Sequence, residues 1–211
     1  MTAPRNALAI ERYRRHAAGY DASAQRTEPL RRRTIDKLAL QPGDVVLDVG
    51  CGTGLSFQAI LERIGSRGRL MGIEQSPEMM DVARGRVAAQ AWTNVTLIEG
   101  PIEDVAIPAE VTALLFNFVH DVLQSPAAMK QIFDAAAPGA RVACQGMKFF
   151  PWWLAPLNLF VMAKARPYMT TFANLSQPWT AFTPYVRRLQ RETTMLGMGY
   201  IVWGRTATRL S

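Results

Sequence analysis

A chain of 211 residues is long enough for one domain with a full core, and 49% hydrophobic with 19% charged residues excludes a disordered chain. Two cysteines, Cys51 and Cys144, exclude a disulfide framework or a cysteine metal set, and no metal is expected. The net charge of +7 suits nucleic acid, an anionic membrane or an acidic substrate, but no nucleic-acid-binding signature accompanies it, so nucleic acid is not expected as a partner.

Residues 1–40 read as two basic helices divided near 19–27, with Arg5, Arg12, Arg14, Arg15, Arg26, Arg31, Arg32 and Arg33 along them. The segment lacks the apolar core of a secretory signal, and Glu11 and Asp21 interrupt an organellar pattern. From residue 44 short β-branched runs alternate with helical patterns, which predicts stacked βαβ units and a parallel sheet. The first strand is placed at 45–49, a helix at 54–64 and a second strand at 69–74. Ser76-Pro77 starts a helix running to about Ala89, with Ser76 as its N-cap. Strands at 95–99 and 111–117 follow, then a helix at 126–136, a Pro138-Gly139 turn and a fifth strand at 140–147. Runs at 192–196 and 200–206 around Gly197 and Gly199 predict a closing antiparallel hairpin. Between these lies an aromatic, proline-containing segment at 148–188. Its uncharged run at 149–163 is short for a membrane span and is broken by Pro151, Pro156 and Asn158, so a cytoplasmic protein, soluble or peripheral at a membrane, is expected.

The chemistry concentrates in Asp48-Val49-Gly50-Cys51-Gly52-Thr53-Gly54, between a strand and a helix. Glycines there let the backbone turn and approach a ligand where a Cβ would clash. Glu74, twenty residues beyond Gly54 at the end of the second strand, is placed to accept hydrogen bonds from the ribose hydroxyls of a nucleoside. A dinucleotide oxidoreductase shares that outline, but here the glycines recur at intervals of two instead of G-x-G-x-x-G. Asp48 would also repel a pyrophosphate, while suiting an ammonium or a sulfonium. Charge therefore favours S-adenosylmethionine over NAD. Strand ends face the ligand crevice in such sheets, which puts Asn117 near the cofactor and His120-Asp121 just beyond. His120 titrates near neutrality and is the candidate proton acceptor, or else a histidine that only packs beside the cofactor.

These residues carry a resemblance to the class I S-adenosylmethionine-dependent methyltransferases. VLDVGCGTG at 46–54 resembles the family's first motif, GIEQSPEM at 72–79 its acidic-loop motif, and APGARV at 137–142 the turn into its fifth strand. The resemblance covers about residues 40–147 and the final hairpin. It implies a Rossmann-like α/β fold, a seven-stranded mostly parallel sheet ending in a reversed strand, with helices on both faces. Carried over by position, Gly50, Cys51 and Gly52 would line the methionine and ribose, Glu74 would take the ribose hydroxyls, and Gln75 would border the adenine. After the third strand the family usually has an aspartate for the adenine amino group. This chain has Gly100-Pro101-Ile102-Glu103, so the adenine would fall to the backbone of Ile102 or to Glu103. His120-Asp121 is similar to the Leu-His-Asp-Trp segment of O-methyltransferases, whose histidine is the general base, although Val122 replaces the tryptophan. Tyr13 through Asp21 is similar to the approach segment of quinone and phospholipid methyltransferases, which implies Tyr20 near the methyl group and Tyr13 near the acceptor.

The expected organisation is one methyltransferase domain over 1–211: lid helices at 1–40, a cofactor-binding core at 41–147, a substrate cap at 148–188 and a closing hairpin at 189–211. Trp152, Trp153 and Tyr168 are the candidate acceptor-binding residues of the cap, unless its aromatics simply complete a core beneath a lid. The expected reaction is methyl transfer from S-adenosylmethionine to an oxygen or nitrogen of a small apolar or amphipathic acceptor, leaving S-adenosylhomocysteine. Two other readings stay open. RPYMTTFANLSQPW at 166–179 is similar to bacterial lipid-headgroup N-methyltransferases, which implies a peripheral enzyme in contact with anionic membrane. A non-catalytic regulatory protein that keeps the cofactor pocket is the other. The sequence leaves the oligomeric state open.

Overall fold

In the computed structural model, seven strands form one sheet in the order β3-β2-β1-β4-β5-β7-β6. The strands are β1 Val45–Val49, β2 Arg69–Glu74, β3 Val95–Glu99, β4 Val111–Asn117, β5 Ala136–Met147, β6 Val186–Thr194 and β7 Gly199–Thr206. The first five pair in parallel, whereas β7 runs antiparallel to both β5 and β6. The helices are α1 Glu28–Lys37, α2 Phe57–Ile64, α3 Pro77–Ala89, α4 His120–Leu123, α5 Pro126–Asp134 and α6 Asn158–Ala165. The structure describes residues 21, 25–108, 110–166 and 168–207. Of the two expected lid helices, the second is α1, and the first, with Tyr13 and Tyr20, lies outside the described residues.

Period-two alternation divides the core between the two faces of the sheet. Leu47, Val49, Met71, Ile73, Leu114 and Phe116 point to one face, which is covered by α5 and the 3-10 turn Pro178–Phe182. Val46, Leu70, Ala113 and Leu115 point to the other, beneath α1, α2 and α3. Ile35 and Leu38 from the end of α1 and Phe57, Ile60 and Ile64 from α2 are fully buried there. Part of the arginine-rich stretch is used within the fold. Arg31 and Arg32 pair with Glu28 along α1, and Arg33 and Lys37 reach Glu192 on β6 at 3.0 and 3.5 Å.

Several boundaries differ from the sequence expectation, three of them for a clear local reason. The first helix of the core starts at Phe57 instead of residue 54 because Gly54 is left-handed (φ +80°), and a side chain there would run into the Phe57 ring at 2.6 Å. The fifth strand begins at Ala136. Ala136 pairs with Val111, the Pro138-Gly139 turn is extruded, and pairing resumes at Arg141 opposite Ala113. The edge strand of the hairpin begins at Val186, six residues early, so the cap is shorter than expected. A bulge between Arg187 and Gln190, with Arg188 at φ +51°, hides its alternation. Charged residues and a bulge also blunt this edge against further strand pairing.

Candidate active site

The loop after β1 is shaped by its glycines. At Gly50 (φ +61°) a Cβ would sit 2.6 Å from Val119 Cγ1, so only glycine lets the loop close against the segment after β4. The Gly52 amide donates to Glu74 Oε2 at 3.0 Å and the Ser76 amide to Oε1 at 2.8 Å, so the carboxylate at the end of β2 ties the loop to the start of α3. Ser76 caps that helix through the Met79 amide. Burial raises the Glu74 pKa, and the amides of Ser76, Gly52 and Gln75 counter the rise.

Asp48 is buried at the carboxyl end of β1, and its Oδ2 has no hydrogen-bond partner. Desolvation pushes its pKa up to about 7 against the pull of Arg31 and Ser56, and the charge of Glu74 adds to the rise. A polar chain runs on from it. Asn117 Nδ2 donates to Ser56 Oγ at 3.0 Å, and Gln145 Nε2 donates to Asn117 Oδ1 at 2.8 Å. Two buried carboxylates and an orphaned oxygen beside a glycine cradle fit a cationic nucleoside, and S-adenosylmethionine carries both an ammonium and a sulfonium. An anionic pyrophosphate would meet those carboxylates unfavourably.

A cleft of about 600 Å³, including its open mouth, is lined by Gly50, Glu74, Gln75 and Ile102 at one side and by His120 and Tyr168 at the other. Gly100, Glu103 and Ala128 complete its far end. Ile102 is buried, and Glu103 lines the cleft while its carboxylate accepts a hydrogen bond from Ser125 Oγ. Phe118, at φ +57°, turns the chain sharply after β4 and delivers Val119 and His120 to the wall. His120 Nε2 lies 3.0 Å from the Ala173 carbonyl oxygen, which can only accept, so Nε2 carries the proton and Nδ1 the lone pair. Nδ1 is buried with no partner, and burial lowers the pKa, keeping the ring neutral near pH 7. Asp121 accepts from the Thr170 amide and hydroxyl, at 2.8 and 2.7 Å, fastening the 168–173 strap that carries Tyr168 and Ala173.

The structure thus brings together Gly50, Glu74, Gln75, Ile102, His120 and Tyr168. It places others differently from the expectation. Asp48 and Asn117 are not among the cleft's lining residues: Asp48 is buried, Asn117 bonds to Ser56 and Gln145, and Gly52 acts through its amide. Cys51 turns its thiol into the core, 2.9 Å from the position a Gly72 Cβ would take, so it shapes the loop and leaves the cleft to its neighbours. Trp152 and Trp153 are not among the cleft's lining residues. They are 84% and 65% exposed because the backbone of the Trp152–Leu157 turn faces them outward. Sequence reading also missed a latch: Asp21 accepts from Thr53 Oγ1 and pairs with Arg86, both at 2.6 Å, while Arg86 Nε donates to the Thr53 carbonyl at 2.9 Å. Asp21 at the end of the YxxxAxxYD-like segment was the available signal. Nothing in α3 marks Arg86.

Residues 46–139 match a family model described as a methyltransferase domain. This span holds the glycine loop, Glu74 and His120 in the arrangement just described. The span that holds the site is similar to that methyltransferase domain, and the chain shares its fold with solved S-adenosylmethionine-dependent methyltransferases. It is 28% identical over 210 residues to a demethylmenaquinone methyltransferase of Symbiobacterium thermophilum, covering 87% of this chain and 83% of the relative. To the protein of the same name from Shouchella clausii it is 30% identical over 127 residues, covering 58% of this chain and about half (53%) of that one. A SAM-dependent methyltransferase from Aquifex aeolicus shares the fold, with a TM-score of 0.57 at 17% identity over 84% of this chain and 89% of that one.

Proposed function

We propose that this chain is a methyltransferase that moves the methyl group of S-adenosylmethionine to an oxygen or nitrogen of a small apolar or amphipathic acceptor, with His120 as proton acceptor. The observation that carries the reading is the cleft that joins the Gly50–Glu74 cradle to a neutral His120 in its wall. S-adenosylmethionine supplies an electrophilic methyl on a sulfonium. Glu74 and Gln75 would hold the ribose and adenine edge, Ile102 would pack on the adenine, and Asp48 would balance the cofactor's positive charge from below. Glu103 would supply a carboxylate at the adenine end, where Pro101 stands in place of the family's usual aspartate.

His120 would take the acceptor's proton on Nδ1, an atom buried in the ligand-free chain that acceptor binding must uncover, while Ala173 holds Nε2–H. The imidazolium that forms is stabilised by the neighbouring Asp121 carboxylate, which raises the ring's pKa. Tyr168 and the valines at 119 and 122 make the acceptor side of the cleft largely apolar. Two of the relatives are named for demethylmenaquinone, which supports an acceptor with an apolar body.

Calorimetric titration with S-adenosylhomocysteine, followed by methyl transfer to a panel of phenolic and amine acceptors, tests the reading. Binding with turnover supports it. Absence of cofactor binding overturns the whole reading, and binding without turnover on any acceptor returns the chain to the non-catalytic alternative.

A further inference from the structure

We propose that residues 152–162 form a docking surface for an anionic lipid bilayer. Among the described residues, nine large apolar side chains are exposed, and seven of them fall in this stretch of eleven. Trp152, Trp153, Leu159 and Phe160 are 84%, 65%, 73% and 51% exposed. An ordinary surface helix is polar on its outer side. Here α6 buries Val161 and Ala165 against Met169 and Leu175, and then presents Leu159, Phe160 and Met162 outward as well. Together with the preceding 3-10 turn this is a contiguous apolar surface, which in a folded protein marks an interaction site.

Charge selects the occupant. Residues 135–191 contain seven basic residues and no acidic one, inside a chain whose net charge is +7. Exposed Lys164 and Arg166 stand at the end of α6, with Lys164 Nζ 5.6 Å from the Phe160 ring centroid. A second copy would bring the same positive face and no acidic complement. An anionic membrane offers what this face lacks on both counts, acyl chains for the apolar side chains and phosphates for the cations. Tryptophan is the residue best suited to the boundary between them, with an apolar ring and one N–H donor. No helix of the described residues is long and apolar enough to cross a membrane, so the contact is in-plane, with the turn and α6 lying at the headgroup level. The chain then runs directly from α6 into Tyr168 of the cleft, which places the acceptor side near the bilayer surface. The docking claim stands independently of the methyl-transfer reading.

The test is cosedimentation of the full chain with vesicles of equimolar phosphatidylglycerol and phosphatidylcholine, against vesicles of phosphatidylcholine alone. The parent pellets with the anionic vesicles at low salt, with a blue shift of tryptophan emission, and less so at high salt. The double variant Trp152→Ser/Trp153→Ser loses roughly tenfold or more in partitioning, and an unchanged thermal melt shows that it folds as the parent does. Two results overturn the proposal at the bilayer: a parent that stays in the supernatant, or a variant that pellets as the parent does, which would assign the binding to other basic residues. A third does so from the other side. If light scattering finds a dimer of the parent that the variant abolishes, the face is an interface between copies of this chain.

Discussion

His120 lines the cleft and Asp48 is buried at the end of β1 beside the glycine loop, and burial acts on them in opposite directions. Asp48 titrates near 7 in the folded chain and near 3.8 when unfolded, so between those values the folded state holds the extra proton. Stability from this group therefore falls as pH rises from about 4 to 7 and stays low above it. Asp48→Asn is expected to raise the stability of the ligand-free protein at pH 8 by on the order of a few kcal/mol, with little change at pH 4, while weakening S-adenosylmethionine binding. Melting curves at the two pH values and a cofactor titration check both halves; a variant less stable than the parent at pH 8 contradicts the burial argument. For His120, burial lowers the pKa and the Ala173 carbonyl fixes the tautomer. His120→Asn should slow transfer to a hydroxyl or ammonium acceptor about 10²–10⁴-fold. S-adenosylhomocysteine affinity should stay near that of the parent, and the acidic limb of the parent's pH–rate profile should disappear. An unchanged profile would leave His120 as a packing residue.

At the level of elements, the site depends on short straps that bridge the sheet's carboxyl edge. Asp21 links Thr53 in the glycine loop with Arg86 on α3, so one carboxylate from the N-terminal segment holds two pieces of the cofactor cradle. The ion pair is half exposed, and its contribution to global stability is small. Its effect belongs to the loop. Asp21→Asn should weaken S-adenosylhomocysteine binding by roughly threefold to tenfold, by loosening a contact worth about 1 kcal/mol, with a melting temperature close to the parent's. Hydrogen exchange at residues 50–56 would rise in step, and an unchanged exchange rate would dismiss the latch. Asp121 does the corresponding work on the other wall, where its carboxylate takes the Thr170 amide and hydroxyl and so keeps Ala173 within reach of His120.

Across the whole molecule, the cap is attached to the sheet by aromatic packing. Phe182, fully buried, meets Phe116 of β4 edge-on at 5.1 Å between ring centroids and Phe133 of α5 at 6.3 Å, while Phe133 stacks on Tyr185 at 4.3 Å. Trp179 meets Tyr200 of β7 at 5.5 Å. The cap's own small cluster around Val161, Ala165, Met169 and Leu175 is separate from this core. Phe182→Ala is expected to cost about 3–5 kcal/mol in denaturant unfolding, the range for an aromatic lost from a packed core. A loss below 1 kcal/mol would mean that the cap docks elsewhere. The aromatic content of 148–188 therefore has two uses: Phe149, Phe150, Phe172 and Phe182 pack inward, and Trp152, Trp153 and Phe160 face out.

The sequence by itself determined the sheet and the cradle. Short β-branched and apolar runs place β1 through β4 at their observed limits, helped by Gly43 and Gly50 around β1, Gly68 before β2 and Gly100 after β3. The glycine loop and Glu74 were legible because their chemistry is local: a sharp turn requires glycine, and a strand end positions the carboxylate. What only the tertiary structure decided is long-range. Which way Trp152 and Trp153 face, the tautomer of His120 set by a carbonyl 53 residues away, and the Asp21–Arg86 latch all depend on segments meeting in space. Asp48 shows the division most plainly. Its charge singled out a cationic ligand from the sequence, yet its displaced titration and orphaned oxygen arise from complete burial, which no residue adjacent to it in the chain reveals.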